Sequence, residues 1–295
     1  MDYSDTPPAD LPYRYTFDTD ELDAIKACHD EHGFAVVRRV IGAERVEGLK
    51  ESVRDVLDPM ADLGPGETRV QHAFIEYSNC MWRLLEDEAF MAVHRRISAT
   101  NELTLNRSAA ILKNVGAPAV RWHTDWQGFG LERPQSASDV LNVGEWPSGM
   151  WFYLNGTRPG RAGLAVIADS HRMDWTGPAG FAFTDRRRHS FHRQGEAAEA
   201  YAGFDVPGVV PLFTEPGDLI VFAARTYHGA FPHAGDEPRL SVGLNLRHGR
   251  APLDPVWPLP AGVDRFRKGL PERLFPCVEH YAGYDPEWSG TEEAS

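Results

Sequence analysis

In the stretch PAVRWHTDWQGF, residues 118–129, His123 and Asp125 stand one residue apart between Trp122 and Trp126. An imidazole and a carboxylate at i and i+2 can hold one metal ion where both side chains leave the backbone on one side. A strand arranges them so and a helix does not. The chain carries its own control: His29-Asp30-Glu31 repeats the His-x-acid pattern inside a helical stretch, where it cannot chelate. His123 and Asp125 adjoin strand-like sequence, so of the two they are the pair able to chelate, although taken alone the pattern also arises by chance at this composition. A third ligand comes from EPGDLIVFAARTYHGAFPH, where a Pro216-Gly217-Asp218 turn leads into an apolar strand ending near His228. His233 lies further on, in a loop, and is the weaker choice. Two histidines and one carboxylate occupy one face of a metal and leave positions open. Such a face suits non-haem Fe(II) oxygen chemistry better than a closed structural zinc site.

An open ferrous site needs an anchor for a co-substrate. Arg239 follows His228 by eleven residues, in EPRLSVGL. If the chain turns back between them, Arg239 lies on a strand paired with the His228 strand. Its planar fork suits a carboxylate, a contact worth roughly 1.5–3 kcal/mol. Ser241, two residues on, shares that strand face and adds a hydroxyl. The plain alternative for Arg239 is a surface ion pair.

The elements that must position these groups follow from hydrophobic spacing. TDELDAIKACHDEHG, from Thr19, reads as a helix capped by Thr19 or Asp20 and stopped by Gly33. FAVVRRVI reads as a strand. GAERVEGLKESVRDVLDPM sets Val46, Leu49, Val53, Val56 and Leu57 at helical spacing and ends at Pro59, and CMWRLLEDEAFMAVHRRISAT gives one or two further helices. Residues 1–107 are therefore expected to be mainly helical. Beyond them, SAAILKNV, GMWFYLNG, LAVIADS, VVPLF, DLIVFAA and LSVGLNLR are short apolar runs between Gly/Pro turns. That texture predicts a β-sandwich or barrel over 108–250, interrupted by long loops at 126–148 and 172–205. Residues 251–295 read as a wrapping extension. The whole chain, 1–295, is taken as one domain.

Composition sets limits on partners. With 295 residues and a net charge of −13, the chain is long enough for a substantial core and is repelled by phosphate backbones and anionic lipids. Nucleic acid and membrane are not expected as partners. The acidic, Pro-rich N-terminus does not resemble a signal peptide, and Cys28, Cys80 and Cys277 form neither a disulfide framework nor a zinc pattern. A reducing cytoplasm fits these features. DRRRHSFHR is the exception, a basic cluster from Arg186 to Arg193. It is either a solvated loop or a patch that draws in an anionic substrate.

Four segments together carry a likeness: WHTDW, GLAVIADSHR (163–172), PGDLIVFAARTYHGA and DEPRLSVGL, with EHGFAVVRRVIGAERVEGLKE near the start. In order and spacing the chain resembles the phytanoyl-CoA dioxygenase (PhyH-like) family of Fe(II)/2-oxoglutarate dioxygenases over roughly residues 20–250. The resemblance implies a double-stranded β-helix, a jelly-roll barrel with helices on one sheet. It implies Fe(II) held by His123, Asp125 and His228, with 2-oxoglutarate and O2 as co-substrates. Arg239 would hold the distal carboxylate of 2-oxoglutarate, Trp151 would line its pocket, and Lys113 falls where relatives often carry a lysine. Two departures stand out. The family's Pro-Gly-Ser-His turn reads Ala168-Asp169-Ser170-His171 here, and Ala230 replaces a small hydroxyl residue found in some relatives, a loss that Ser241 can offset. His171 is expected to stabilise a turn rather than to bind metal.

The implied reaction is hydroxylation of a small molecule with release of succinate and CO2. Desaturation, ring formation or epimerisation at the same centre is the first alternative. A jelly-roll protein that binds metal or ligand without turnover is the second. Asp125 argues against halogenation, which needs room for halide on the metal. Candidate substrate contacts are Trp126, Gln127, Arg187, Arg188 and Arg247.

Overall fold

The structure, a computed structural model, describes residues 11–126, 134, 136–142, 147–253 and 257–289. Gln127 lies outside the described residues. The strands in chain order are β1 (Thr16–Phe17), β2 (Phe34–Val37), β3 (Thr68–His72), β4 (Leu103–Lys113), β5 (Val120–His123), β6 (Pro147–Tyr153), β7 (Leu164–Ile167), β8 (Phe181–Phe183), β9 (Phe191–Arg193), β10 (Val209–Pro211), β11 (Leu219–Ala223), β12 (His228–Ala230) and β13 (Arg239–His248). The helices are α1 (Leu22–His32), α2 (Ala43–Leu57), α3 (Asn79–Trp82), α4 (Glu88–Ser98), α5 (Ala137–Leu141), α6 (Ala261–Gly269) and α7 (Phe275–Val278).

Two sheets face each other. The larger runs β1-β2-β11-β6-β13-β4-β3 and the smaller β10-β7-β12-β5, while β8 and β9 form a hairpin. Alternation along the strands shows why they pack as they do. In β11, Leu219 and Val221 join the core under the helices, while Ile220 and Phe222 join a second core between the sheets. Both faces are buried, so the strand reads as an unbroken apolar run. Leu164, Val166, Val210 and Leu212 supply the smaller sheet's side of that second core. The arrangement is the expected jelly-roll with a helical layer on one sheet.

Several local readings change. Helix α1 starts later than Thr19: its N-cap is Glu21, whose carboxylate accepts from the Asp18 amide at 2.8 Å. Gly33 closes it in the left-handed region at φ 81°, as the sequence suggests. The first hundred residues also hold three strands, among them β3, which starts inside the expected loop LGPGETR. The largest correction concerns His228 and Arg239. His228 opens β12 in the smaller sheet, between β5 and β7, whereas Arg239 opens β13 in the larger sheet, between β4 and β6. The chain crosses from one sheet to the other between them, so their strands are not paired.

The long stretches are partly ordered into elements. The described part of 126–148 contains α5, and 172–205 contains the β8–β9 hairpin, which covers the outer side of the smaller sheet. The C-terminal extension contributes Val263, Phe266, Leu274, Val278 and Tyr281 to the core beneath the helices. Among the described residues no helix is long and apolar enough to cross a membrane.

Candidate metal centre

His123 ends β5 and lies directly across from His228, the first residue of β12. Their rings approach to 4.3 Å between centroids. Each ring is aimed by the same device. His123 Nδ1 meets the Arg121 carbonyl at 2.7 Å, and His228 Nδ1 meets the Thr226 carbonyl at 3.0 Å. A carbonyl only accepts, so each Nδ1 carries the proton and each Nε2 keeps a free lone pair. Asp125 lies two residues past His123, with Oδ1 3.9 Å from His228 Nε2. One ligand atom from each of the three residues lies within 4.8 Å of the others. Burial, and next the neighbouring His123, pushes the His228 pKa down to about 4. At neutral pH it is therefore the neutral, ligating form. Two imidazoles and one carboxylate suit a divalent cation and leave the remaining metal positions to other ligands.

The triad opens onto a cavity of about 360 Å³, lined also by Trp151, Tyr153, Leu164, Phe222 and Ala230. Arg239 forms part of its wall. The side chain is buried, with the residue only 4% exposed, and donates from Nη1 to the Ala162 carbonyl at 2.8 Å. Its guanidinium lies over the Tyr153 ring at 4.9 Å, and its Nε has no partner. No carboxylate pairs with it among the described residues. Burial lowers its pKa, a sign of how unfavourable the lone charge is there. The fork and orphaned donor fit one end of a dicarboxylate whose other end reaches the metal. Trp151 reaches the wall because the residue facing it across the sheet is Gly243, where a Cβ would come within 2.8 Å of the indole.

The other two expected cofactor residues stand behind that wall. Ser241 is fully buried on the face it shares with Arg239, its hydroxyl unpartnered. Lys113 faces Arg239 across β4 and β13 and donates to the Pro118 carbonyl at 2.5 Å. Burial, followed by repulsion from Arg239, brings its pKa down to about 8.

The expected substrate residues do not gather at this cavity. Trp126 lies under the Arg225 guanidinium at 4.5 Å and lines a small separate cleft with Arg188, Trp175 and Tyr227. Arg188 also has its carbonyl taken by the Tyr227 hydroxyl. Arg187 pairs with Asp139 of α5 at 3.4 Å. Arg247 is buried near the far end of β13, opposite Thr104, with Nε and Nη2 unpartnered, and is not on the wall. Trp122 belongs to the core under the hairpin. His171 Nε2 meets the Asp30 carbonyl of α1 at 3.0 Å, a contact to that helix rather than within its own turn.

The cavity wall also includes residues that sequence reasoning did not single out, His72, Arg107, Ser138, Asn142 and Tyr284, together with His189, the one member of the expected basic cluster Arg186–Arg193 that reaches it. Arg107 had a usable signal. It shares a two-residue phase on β4 with Ala109 and Ile111, both on the wall. His72 and Tyr284 had none, since they meet from opposite ends of the chain, stacked at 4.3 Å.

Comparison with known proteins agrees with this geometry. The chain is 23% identical over 275 residues to 1-deoxypentalenic acid 11-beta-hydroxylase of Streptomyces arenae, covering 86% of this chain and 92% of that one. Among solved structures it resembles the epimerase SnoN, seen in complex with Fe3+, alpha ketoglutarate and nogalamycin RO, with a TM-score of 0.57, 20% identity and coverage of 94% and 96%. HygX of Streptomyces hygroscopicus, with nickel and 2-oxoglutarate bound, gives a TM-score of 0.55 at 16% identity, covering 88% of this chain and 95% of that one. The sequence profile of the phytanoyl-CoA dioxygenase family matches residues 29–241, well over half the length. The chain thus belongs to the phytanoyl-CoA dioxygenase (PhyH) family of iron- and 2-oxoglutarate-dependent oxygenases.

Proposed function

We propose that this oxygenase hydroxylates a small organic molecule, neutral or anionic, that binds in this cavity. The balance is R–H + 2-oxoglutarate + O2 → R–OH + succinate + CO2. The observation that carries this reading is the pairing, in one cavity, of an open His-Asp-His face with a buried guanidinium that has no acidic partner among the described residues. Iron bound at His123, Asp125 and His228 would supply the oxidising chemistry, with 2-oxoglutarate and O2 as co-substrates.

The chain's own residues do the rest. His123 and His228 present Nε2 because their other ring nitrogens are committed to carbonyls. Arg239 holds the far carboxylate of 2-oxoglutarate, and Trp151, Tyr153, Leu164 and Phe222 exclude water around its carbon chain. The Ala162 carbonyl accepts from Arg239 Nη1 and fixes the fork, while Ser241 keeps an unpartnered hydroxyl on the same strand face. Asp125 is the one carboxylate on the cavity wall among the described residues, and it belongs to the metal-binding triad. The Arg107 guanidinium stands beside it at 3.4 Å, a setting that disfavours a cationic substrate. Structural relatives include an epimerase and a carbocyclase. Product analysis should therefore score epimerised and cyclised products beside gain of one oxygen atom.

Without knowledge of the substrate, uncoupled turnover tests the reading. Wild-type protein with Fe(II), O2 and 2-oxoglutarate is expected to form succinate, and His123→Ala is expected to abolish it. Absence of iron-dependent succinate from the wild type would overturn the enzyme reading in favour of a binding protein.

A further inference from the structure

Strand β4 carries an irregularity beside the triad. Asn245 of β13 pairs with Arg107, but the next residue, Leu246, pairs with Leu105, so Asn106 has no partner across the ladder. Bulges re-aim side chains and recur next to active sites. Neighbours in a regular strand point to opposite faces. Here both reach the same target. Asn106 Nδ2 donates to the Leu141 carbonyl at 2.7 Å, and Arg107 Nη1 donates to Asn142 Oδ1. Leu141 ends α5 and Asn142 is its C-cap. The second arm of the guanidinium, Nη2, faces Asp125 Oδ2 at 3.4 Å. The other carboxylate oxygen, Oδ1, is the one turned toward His228.

We propose that Arg107 is a positioning residue that holds Asp125 with one oxygen toward the metal and ties that orientation to the placement of α5. The inference rests on the metal-binding reading above. α5 and its cap contribute Ser138 and Asn142 to the cavity wall, and the Ser138 hydroxyl lies 3.4 Å from that of Tyr284. A substrate pressing on this wall acts on one arm of the guanidinium, and the other arm carries the displacement to the metal carboxylate. Arginine suits the task because its two terminal nitrogens are fixed in one plane. A lysine ammonium is a single point charge on a flexible stem.

Titrating metal-free protein with Ni(II) by calorimetry tests this without relying on turnover. R107Q is expected to lower Ni(II) affinity about 10- to 100-fold, the usual effect of losing a partner that orients a ligand. R107K should recover part of that loss. N142A should weaken binding in the same direction by less, and should add nothing in the R107Q background. Unchanged Ni(II) affinity in R107Q would overturn the proposal, as would losses in R107Q and N142A that simply add. If H123A bound Ni(II) as tightly as wild type, the metal-binding reading itself would fail, a result separate from both. Melting temperatures of the metal-free variants separate loss of fold from loss of positioning, since a purely structural Arg107 would lower melting without shifting the affinity of folded protein.

Discussion

Two imidazoles aimed through the same ring nitrogen, each to a carbonyl two residues back, are the smallest unit from which the chemistry follows. Their pattern was legible because it is local: His123 and Asp125 two apart beside a strand, His228 after an apolar run, Arg239 shortly beyond. Arg187 and Arg188 were not legible in the same way. Counting charge in DRRRHSFHR says nothing about which wall a side chain faces, and Arg187 is tied to Asp139 while Arg188 lines another cleft. At Arg239 the expectation is quantitative. Arg239→Ala removes a charge-assisted contact worth roughly 1.5–3 kcal/mol, so the KM for 2-oxoglutarate in the uncoupled assay should rise about 10- to 100-fold. An unchanged KM would mean the carboxylate binds elsewhere.

Strands and helices were legible where both faces of a run are buried, as in β11, and hidden where the pattern is weak. β3 alternates exposed and half-buried residues with little apolar content, so TRVQH carried no strand signal. The placement of β12 and β13 in opposite sheets was hidden for another reason: a turn between two strands does not state which sheet the second one joins. Helix α4 offers a test at this scale. Its His94 is fully buried against β13, with Nε2 3.2 Å from the Leu244 carbonyl. Burial pushes its pKa down from the ordinary 6.5 to about 3. The unfolded chain binds that proton more readily, so the folded state is at full strength above 6.5 and loses stability as pH falls toward about 3. The loss from this residue is on the order of 4 kcal/mol. His228 adds to it down to about 4. His94→Leu should therefore flatten the acid side of a melting-temperature profile of metal-free protein, and a profile as steep as wild type would refute the assignment.

At the scale of the molecule, the change in texture near residue 108 pointed to a β-sandwich or barrel behind a helical part, the family resemblance narrowed this to a jelly-roll, and the extension after 251 packs Val263 and Tyr281 into the core. Its depth was not foreseeable, because the partners of Val263 and Tyr281 lie far away in sequence. The division of the site between the sheets has a mechanical meaning. His123 and His228 belong to the smaller sheet, and Arg239 belongs to the larger. A dicarboxylate held at both ends would act as a rivet through the sandwich, and neither metal alone nor acid alone can span that gap. The melting temperature with Ni(II) and 2-oxoglutarate together should exceed the sum of the two separate shifts. Additive shifts would show that the two layers are clamped independently. The same geometry makes catalytic competence a gauge of the distance between layers: a substitution that lets the sheets slide apart, even far from the cavity, would lengthen the span the acid must bridge and loosen its grip before any ligand residue is touched.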